Sequence, residues 1–172
     1  LHRVDRRQRQ MCIRDRRRAG APYRGTRTPA RRQLTHPERE PVTDTTPTVL
    51  FICQHNAGRS QLGAALLEHL AGDRFRATSA GLSPANEVNP AVAATVAELG
   101  VDITGRVPRA VTVEDLDAAD VIVLMKPGLT LPSTPRGKVL EWSFPNPESW
   151  DAEAVRPLRE AVAEKIRTTL LA

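Results

Sequence analysis

The sequence predicts an α/β fold of three layers, in which a parallel β-sheet lies between helices. Two patterns support this prediction. Apolar runs of strand length, at residues 48–52 and 121–125, alternate along the chain with stretches whose apolar residues recur every three or four positions. Continuous apolar runs are typical of strands buried on both faces, and strands that alternate with helices usually pair in parallel.

The first predicted strand, loop and helix follow one another directly. Residues 48–52 read Thr-Val-Leu-Phe-Ile, and a glycine-containing turn comes next. From Ser60 the pattern changes to leucines at every fourth position, and Gly72 supplies a helix end. A second strand is predicted at residues 75–79.

The next elements are a helix, a short helical turn and the clearest buried strand. Asn89 suits the N-cap of a helix, Pro90 suits its first position, and Gly100 suits its end. We expect a helical turn at residues 115–119, directly before the apolar strand at residues 121–125.

The last predicted elements are a strand at residues 138–141 and a closing helix from Asp151. Pro157 would lie in or near the first turn of that helix. Five apolar residues recur there at helical spacing: Val155, Leu158, Val162, Ile166 and Leu170. The chain of 172 residues therefore has room for one domain and an extension.

The positive charge of the chain is concentrated at its beginning. The overall net charge is +5 and the pI about 10.0, which would favour a nucleic-acid binder. However, residues 1–46 hold 13 of the 25 basic and 5 of the 20 acidic residues, a net charge of +8, and residues 47–172 carry −3. We therefore expect no nucleic acid as a partner of the domain at residues 47–172.

Residues 1–46 are predicted to form a disordered basic tail, because they contain few branched apolar residues. The tail could attach to nucleic acid or an anionic membrane, or it could be solvated without a partner. Residues 11–16, Met-Cys-Ile-Arg-Asp-Arg, resemble a translated sequencing adapter. That resemblance favours a third interpretation, in which the tail is not native and the protein starts near Val42.

Composition also bears on the compartment. No apolar run approaches the roughly 18 residues that a membrane-spanning helix needs, and no apolar signal region follows the first arginines. The two cysteines, Cys12 and Cys53, do not form a disulfide framework. We expect a cytoplasmic protein without a membrane partner, a metal or a bound cofactor. Neither a G-x-G-x-x-G nor a G-x4-G-K-S/T motif occurs.

The segment at residues 53–60 contains the candidate functional residues of the sequence. It reads Cys-Gln-His-Asn-Ala-Gly-Arg-Ser, a C-x5-R-S pattern between a buried strand and a helix. Free backbone N–H groups and the positive end of the helix dipole meet there, which suits a tetrahedral oxyanion. The guanidinium of Arg59 can bind two oxygens at once. The predicted oxyanion-binding residues are Gln54, His55, Asn56, Ala57, Gly58 and Arg59.

Cys53, Arg59 and Ser60 are the predicted catalytic residues. The positive field at the helix start favours the thiolate of Cys53, which is the nucleophilic form. Ser60 can donate a hydrogen bond to that sulfur. The alternative is a buried structural cysteine with a surface arginine six residues later, but the strand, glycine-bearing loop and helix favour the functional interpretation. His55 could tune the loop or simply be exposed.

Residues 49–66, VLFICQHNAGRSQLGAAL, resemble the opening of arsenate reductases built on the low-molecular-weight protein tyrosine phosphatase fold. Ser79-Ala80-Gly81 and Asn89-Pro90 match later landmarks of that family. The resemblance implies a four-stranded parallel sheet of flavodoxin-like topology and a catalytic domain at residues 47–172. It also implies that Cys53 is the nucleophile, that Arg59 clamps the oxyanion, and that Asn56, Ser60 and Ser79 shape the loop.

One departure from the family concerns the reducing thiol. Thioredoxin-coupled members relay electrons through further cysteines after the third strand, whereas residues 126–132 here, Lys-Pro-Gly-Leu-Thr-Leu-Pro, contain none. The chain therefore resembles the single-cysteine arsenate-mycothiol transferases of actinobacteria. This resemblance implies that an external thiol, mycothiol or glutathione, is a co-substrate, and that a glutaredoxin-like redoxin is a possible partner.

A second departure concerns the proton donor. The family places Asp-Pro where this chain has Asn146-Pro147, and an asparagine cannot donate the proton that the leaving oxygen needs. Glu148 or Asp151 could replace it, or both could merely start the closing helix. Of the aromatic pair that phosphatases use, Trp150 is the one candidate nearby. A phosphatase, or an oxyanion-binding module with weak catalysis, therefore stays open as an alternative to an arsenate reductase.

Overall fold

The computed structural model describes residues 46–172, so the predicted tail before Thr46, with Cys12, lies outside the described residues. Four strands and four α-helices occur within the described part, and a short 3-10 helix, Gly72–Arg74, joins the first helix to the second strand. In chain order they are β1 (Thr48–Cys53), α1 (Arg59–Ala71), β2 (Arg76–Gly81), α2 (Pro90–Ala97), α3 (Val113–Ala118), β3 (Val121–Leu124), β4 (Lys138–Glu141) and α4 (Ala152–Thr169).

The strands form one parallel sheet in the order β2-β1-β3-β4. The register pairs Cys53 with Gly81 on one side and Ile52 with Leu124 on the other. The predicted four-stranded parallel sheet is therefore confirmed. Because β1 is central, the loop that follows it opens at the middle of the carboxyl edge of the sheet.

Helices cover both faces of this sheet. Alternate residues of β1 point to opposite sides: Val49 and Phe51 belong to the larger core, and Leu50 and Ile52 belong to the smaller one. The larger core is completed by residues of α1, α2 and α4, and the smaller by Leu116 of α3. This arrangement confirms the three predicted layers.

Several details differ from the predicted boundaries: α1 begins at Arg59 instead of Ser60, and β3 ends at Leu124 instead of Met125. Helix α3 begins at Val113, before residue 115, because the Thr112 side chain accepts a hydrogen bond from the backbone N–H of Asp115 in a capping box. Helix α2 ends at Ala97, before Gly100. Pro157 lies in the second turn of α4, inside the helix.

Trp142 and Phe144, which follow β4, pack with the larger core. Trp142 is 3% exposed, and its ring packs edge-to-face against Phe51 and Phe144 at centroid distances of 6.1 Å. These contacts tie the segment after β4 to the centre of the sheet. That segment leads directly to Asn146.

An ion-pair cluster joins the end of α2 to α4. The Glu98 carboxylate accepts hydrogen bonds from Arg156 (2.7 Å from Nη2) and from Arg159 (2.7 Å from Nη1). The hydrogen bonds from Arg156 and Arg159 lower the pKa of Glu98 from 4.5 to about 2. The folded state therefore favours the ionised carboxylate more strongly than the unfolded chain does.

Replacing Glu98 by glutamine should reduce stability in a pH-dependent way. Because the pKa of Glu98 is lower in the folded state, its contribution is present above pH 4.5 and disappears as the pH falls towards 2. The urea denaturation curves of Glu98→Gln and of the unsubstituted protein should therefore differ at pH 7. They should converge as the pH falls from 4.5 to 2. Glu87→Gln, at an exposed site outside the ion pair, is the control; equal curves at pH 7 for all three proteins would contradict the prediction.

Candidate functional site

The candidate site lies at the carboxyl edge of the sheet, where open parallel sheets usually bind ligands. Strand β1 ends at Cys53 and α1 begins at Arg59, so residues 54–58 form a short loop between them. The chain then continues to β2 on one side of β1 and later to β3 on the other. The loop therefore occupies the point at which the strand order reverses.

Three carbonyl groups of this loop, and that of Cys53 before it, are paired with the segment that follows β2. Backbone N–H groups of the segment at residues 82–89 donate to them at 2.8–3.2 Å. The pairs are Leu82 to Cys53, Ser83 to Gln54, Ala85 to His55 and Asn89 to Ala57. Within the described residues, no backbone N–H of residues 54–58 donates to a backbone carbonyl. All of these residues except Asn56 line the cavity beside Cys53, so their amides are available to an anion, whereas Asn56 is buried behind the cavity.

Asn56 holds the centre of the loop. Its φ angle of 50° is left-handed, and its side chain is fully buried. The Oδ1 atom of Asn56 accepts from the Arg109 backbone N–H at 2.9 Å and from Gln61 Nε2 at 3.3 Å, and its Nδ2 donates to Ser60 Oγ at 2.9 Å. Asparagine is one of the few residues that adopt this conformation readily.

Ser60 connects this network to the sulfur of Cys53. The distance from Ser60 Oγ to Cys53 Sγ is 2.9 Å. Because Asn56 already donates to Ser60 Oγ, the hydroxyl hydrogen of Ser60 is free to point at the sulfur. This geometry suits a thiolate, which needs a donor and is the nucleophilic form of cysteine. Cys53 itself is 7% exposed.

Arg59 has an unpaired donor at the site. Its Nε is buried and has no hydrogen-bond partner among the described residues, and its Nη2 donates to Asn146 Oδ1. Leaving a buried donor unpaired costs about 1–3 kcal/mol, which a bound acceptor would offset. Arg59 lines a cavity of about 250 Å³. The other lining residues are Cys53, Gln54, His55, Ala57, Gly58, Asn89 and Trp150.

A close backbone approach holds the loop against β2. A Cβ atom on Gly81 would lie 2.7 Å from the backbone nitrogen of Asn56 and 3.0 Å from the carbonyl oxygen of Gln54. Ser79, predicted to shape the loop, lies two residues earlier, opposite Phe51. The structure shows no hydrogen bond from Ser79 to the loop, and Gly81 makes the close contact instead.

Two aromatic side chains lie at the rim of the loop. His55 is exposed, and its Nδ1 lies 3.0 Å from the carbonyl oxygen of Ser83, to which the Nδ1–H tautomer donates. The ring of Trp150 is 45% exposed and lies so close to Gly58 that a Cβ there would be 3.0 Å from Cη2. His55 therefore anchors the loop, and Trp150 forms one wall of the cavity.

The two candidate replacement acids do not line the cavity of Cys53. Glu148 is exposed and borders a separate cavity of about 350 Å³, which residues 145–147 also line. Asp151 caps α4 by accepting from Ala154 N at 2.9 Å. The hydrogen bond from the Ser149 hydroxyl and that from Ala154 lower the pKa of Asp151, so the group is ionised at neutral pH. This ionisation disfavours Asp151 as a proton donor.

Residues 48–131 match the family model of the low molecular weight phosphotyrosine protein phosphatase. This match covers just under half of the 172 residues of the chain. It is 27% identical over 128 residues to a putative arsenate reductase of Halobacterium salinarum, an alignment that covers 72% of this chain and 90% of that protein. Within residues 46–172, no helix is long and apolar enough to cross a membrane, and no group of His, Cys, Asp or Glu could hold a metal.

Two solved structures extend this similarity. A thioredoxin-dependent arsenate reductase of Corynebacterium glutamicum is 35% identical, with a TM-score of 0.63, over 76% of this chain and 65% of that one. The chain thus spans about two thirds of the length of the Corynebacterium protein. An arsenate reductase in a phosphate-binding state is 27% identical, with a TM-score of 0.63, over 73% of this chain and 97% of that one.

Several residues that support the loop were not predicted from the sequence. Gln61 is buried in α1 and donates through Nε2 to the carbonyl oxygen of Asn56 at 3.1 Å. Its signal was available, since a buried amide in the first turn of a helix usually has a specific partner. The segment at residues 82–89 and Arg109 contribute backbone N–H groups, which leave no side-chain signal.

Substituting Gly81 by alanine should displace the loop. The added Cβ would meet backbone atoms of Asn56 and Gln54 that cannot move independently, so we expect a loss of about 1–3 kcal/mol in the free energy of unfolding and weaker phosphate binding. Gly105→Ala is the matched control, because its Cβ would meet nothing within 4 Å. Chemical denaturation and phosphate titration measure both effects; a Gly81→Ala protein as stable as the control would refute the close approach.

Proposed function

We propose that the protein is a thiol-dependent arsenate reductase. The observation that carries this proposal is a single cavity lined by Cys53, by loop residues whose backbone amides are unpaired, and by Arg59, whose buried Nε has no partner among the described residues. A tetrahedral oxyanion would accept from these donors while its central atom faces the sulfur. The match to the family model and the similarity to arsenate reductases support the same assignment.

The proposed first step forms a bond between sulfur and arsenic. The Cys53 thiolate attacks the arsenic of arsenate, and an As–O bond breaks with loss of hydroxide or water. The arsenic keeps its oxidation state. Ser60 stabilises the sulfur as the attacking group and later as the leaving group, and Arg59 binds the remaining oxygens.

The second step requires a thiol from outside the described domain. Cys53 is the free cysteine of the described residues, so no neighbouring thiol there can attack the adduct. An external thiolate forms a new S–As bond, and Cys53 leaves as a thiolate. A further thiol then reduces the arsenic, and the two external thiols become a disulfide. We propose mycothiol or glutathione as the external thiol, a glutaredoxin-like redoxin as the final reductant, and the cytoplasm as the compartment.

Turnover of arsenate by the full chain tests this function. The assay supplies mycothiol with its redoxin, glutathione with glutaredoxin, or thioredoxin with its reductase, because the similar Corynebacterium protein is thioredoxin-dependent. Arsenite formation with a small thiol is the expected result. Turnover with thioredoxin alone would contradict the small-thiol step, and no arsenite under any condition would contradict the proposed function.

Cys53→Ser should abolish turnover without removing the anion site. Serine keeps the size of the side chain but is a far weaker nucleophile at neutral pH, so arsenite formation should stop. Phosphate should still raise the unfolding temperature of the variant, since the donors for the anion remain. The control is Cys12→Ser, which changes the other cysteine of the chain and should retain full turnover. Undiminished activity of Cys53→Ser would overturn the nucleophile assignment.

A low-molecular-weight phosphatase is the second candidate, favoured by the description of the matching family. Asn146 argues against it, because ester hydrolysis needs a proton donor for the leaving oxygen. An oxyanion-binding module with weak catalysis is the third candidate, and it would bind phosphate without turnover of arsenate or esters.

Asn146→Asp should raise the rate of p-nitrophenyl phosphate hydrolysis. A general acid contributes about 10²- to 10⁴-fold, so an increase in kcat of at least about tenfold is expected if the new carboxyl donates the proton. Glu148→Gln should leave the rate unchanged, since Asn146 and not Glu148 is hydrogen-bonded to Arg59 in the described structure. A loss of activity in Glu148→Gln, without a gain in Asn146→Asp, would identify Glu148 as the acid.

A further inference from the structure

Asn146 contacts the residue predicted to bind the oxyanion. Arg59 Nη2 donates to Asn146 Oδ1, across 87 positions of the sequence. The neighbouring Nε of Arg59 has no partner in the described structure. A guanidinium has five N–H donors in a fixed plane, so fixing one of them orients the others.

The loop that carries Asn146 is held on both sides. Before it, Phe144 packs edge-to-face against the buried Trp142. After it, Trp150 lies against Gly58. Pro145 and Pro147 flank Asn146 directly and restrict the backbone there. The Asn146 amide is therefore presented to Arg59 by a constrained segment.

The acceptor, the amide oxygen of Asn146, carries no net charge, and this neutrality affects the charge at the site. A carboxylate in the same place would also accept from Arg59, but it would cancel the positive charge of the guanidinium and repel an anion bound beside it. An amide oxygen orients the guanidinium and leaves its charge to the ligand. With alanine at this position, the guanidinium of Arg59 would keep its charge but would lose the hydrogen bond that orients it.

We propose that Asn146 is a positioning residue that favours doubly charged oxyanions, such as the dianions of arsenate and phosphate, by orienting Arg59 without neutralising it. This inference rests on the proposed function for its biological substrate but concerns anion binding itself. It assigns Asn146 a role of its own, distinct from the mere lack of a proton donor.

The test is calorimetric titration of the full chain with inorganic phosphate at pH 5.5, 7.0 and 8.5. Phosphate changes from a monoanion to a dianion across this range. In Asn146→Asp, the new carboxylate should weaken phosphate binding at least about tenfold at pH 8.5, and less at pH 5.5 because the ligand carries less charge there. In Asn146→Ala, binding should weaken by a smaller factor that does not change with pH.

Other charged groups around the cavity do not account for this pattern. Cys53 and His55 on the loop, with Glu148 and Asp151 after Asn146, are present in every variant. The dissociation constant of each variant is therefore divided by that of the unsubstituted protein at the same pH, so that the ratio reports the substitution. Thr134→Asp adds the same charge at an exposed residue outside the loop and its supporting segment and should bind phosphate as the unsubstituted protein does.

The outcomes separate this inference from the proposed function. Equal phosphate affinity in the unsubstituted protein and Asn146→Asp at pH 8.5, or a ratio that does not change with pH, would overturn the role of Asn146 even if arsenate is reduced. The expected pH-dependent ratio would support that role even if no thiol supports arsenate turnover. If the unsubstituted protein does not bind phosphate, the anion site and this inference both fail.

Discussion

The pairing of four carbonyls, those of Cys53 and three loop residues, with the segment at residues 82–89 is the constraint on which the candidate site depends. Each peptide unit points its N–H roughly opposite to its carbonyl, so carbonyls bound by the segment at residues 82–89 leave the loop amides facing the other way. The start of α1 adds its own free N–H groups and positive dipole end to the same cavity. The loop is therefore organised for an anion by hydrogen bonds formed on its far side.

The reactive sulfur depends on a second set of contacts behind the loop. Asn56 is left-handed and buried, and it links the backbone of Arg109 and the side chain of Gln61 to Ser60. Ser60 in turn meets the sulfur of Cys53. A buried network of this kind is stable only when each polar group finds its partner. The Cys53 sulfur and the loop around it thus depend on the same side chains.

Much of this could be predicted because it is local. Strands β1 and β3 follow apolar runs, and the residues that would perform the chemistry lie in one continuous segment from the end of β1 to the start of α1. The contributions that were missed are mostly backbone groups, such as the N–H of Arg109. A backbone donor is the same in every residue except proline, so nothing in the sequence distinguishes it. The early start of α3 was missed because the Thr112 and Asp115 capping box was not recognised.

The sequence by itself determined the α/β class, the C-x5-R-S segment, and the two cysteines, of which Cys53 alone lies in residues 47–172. It also showed that Asn146 cannot supply a proton. Only the tertiary structure brought Asn146 to Arg59, Trp150 to Gly58, and Gly81 to the backbone of Asn56. These contacts depend on the strand register and on the path of the chain from β4 to α4. Neither is encoded by a local periodicity, because the partners are separated by tens of residues and packed together only by the core.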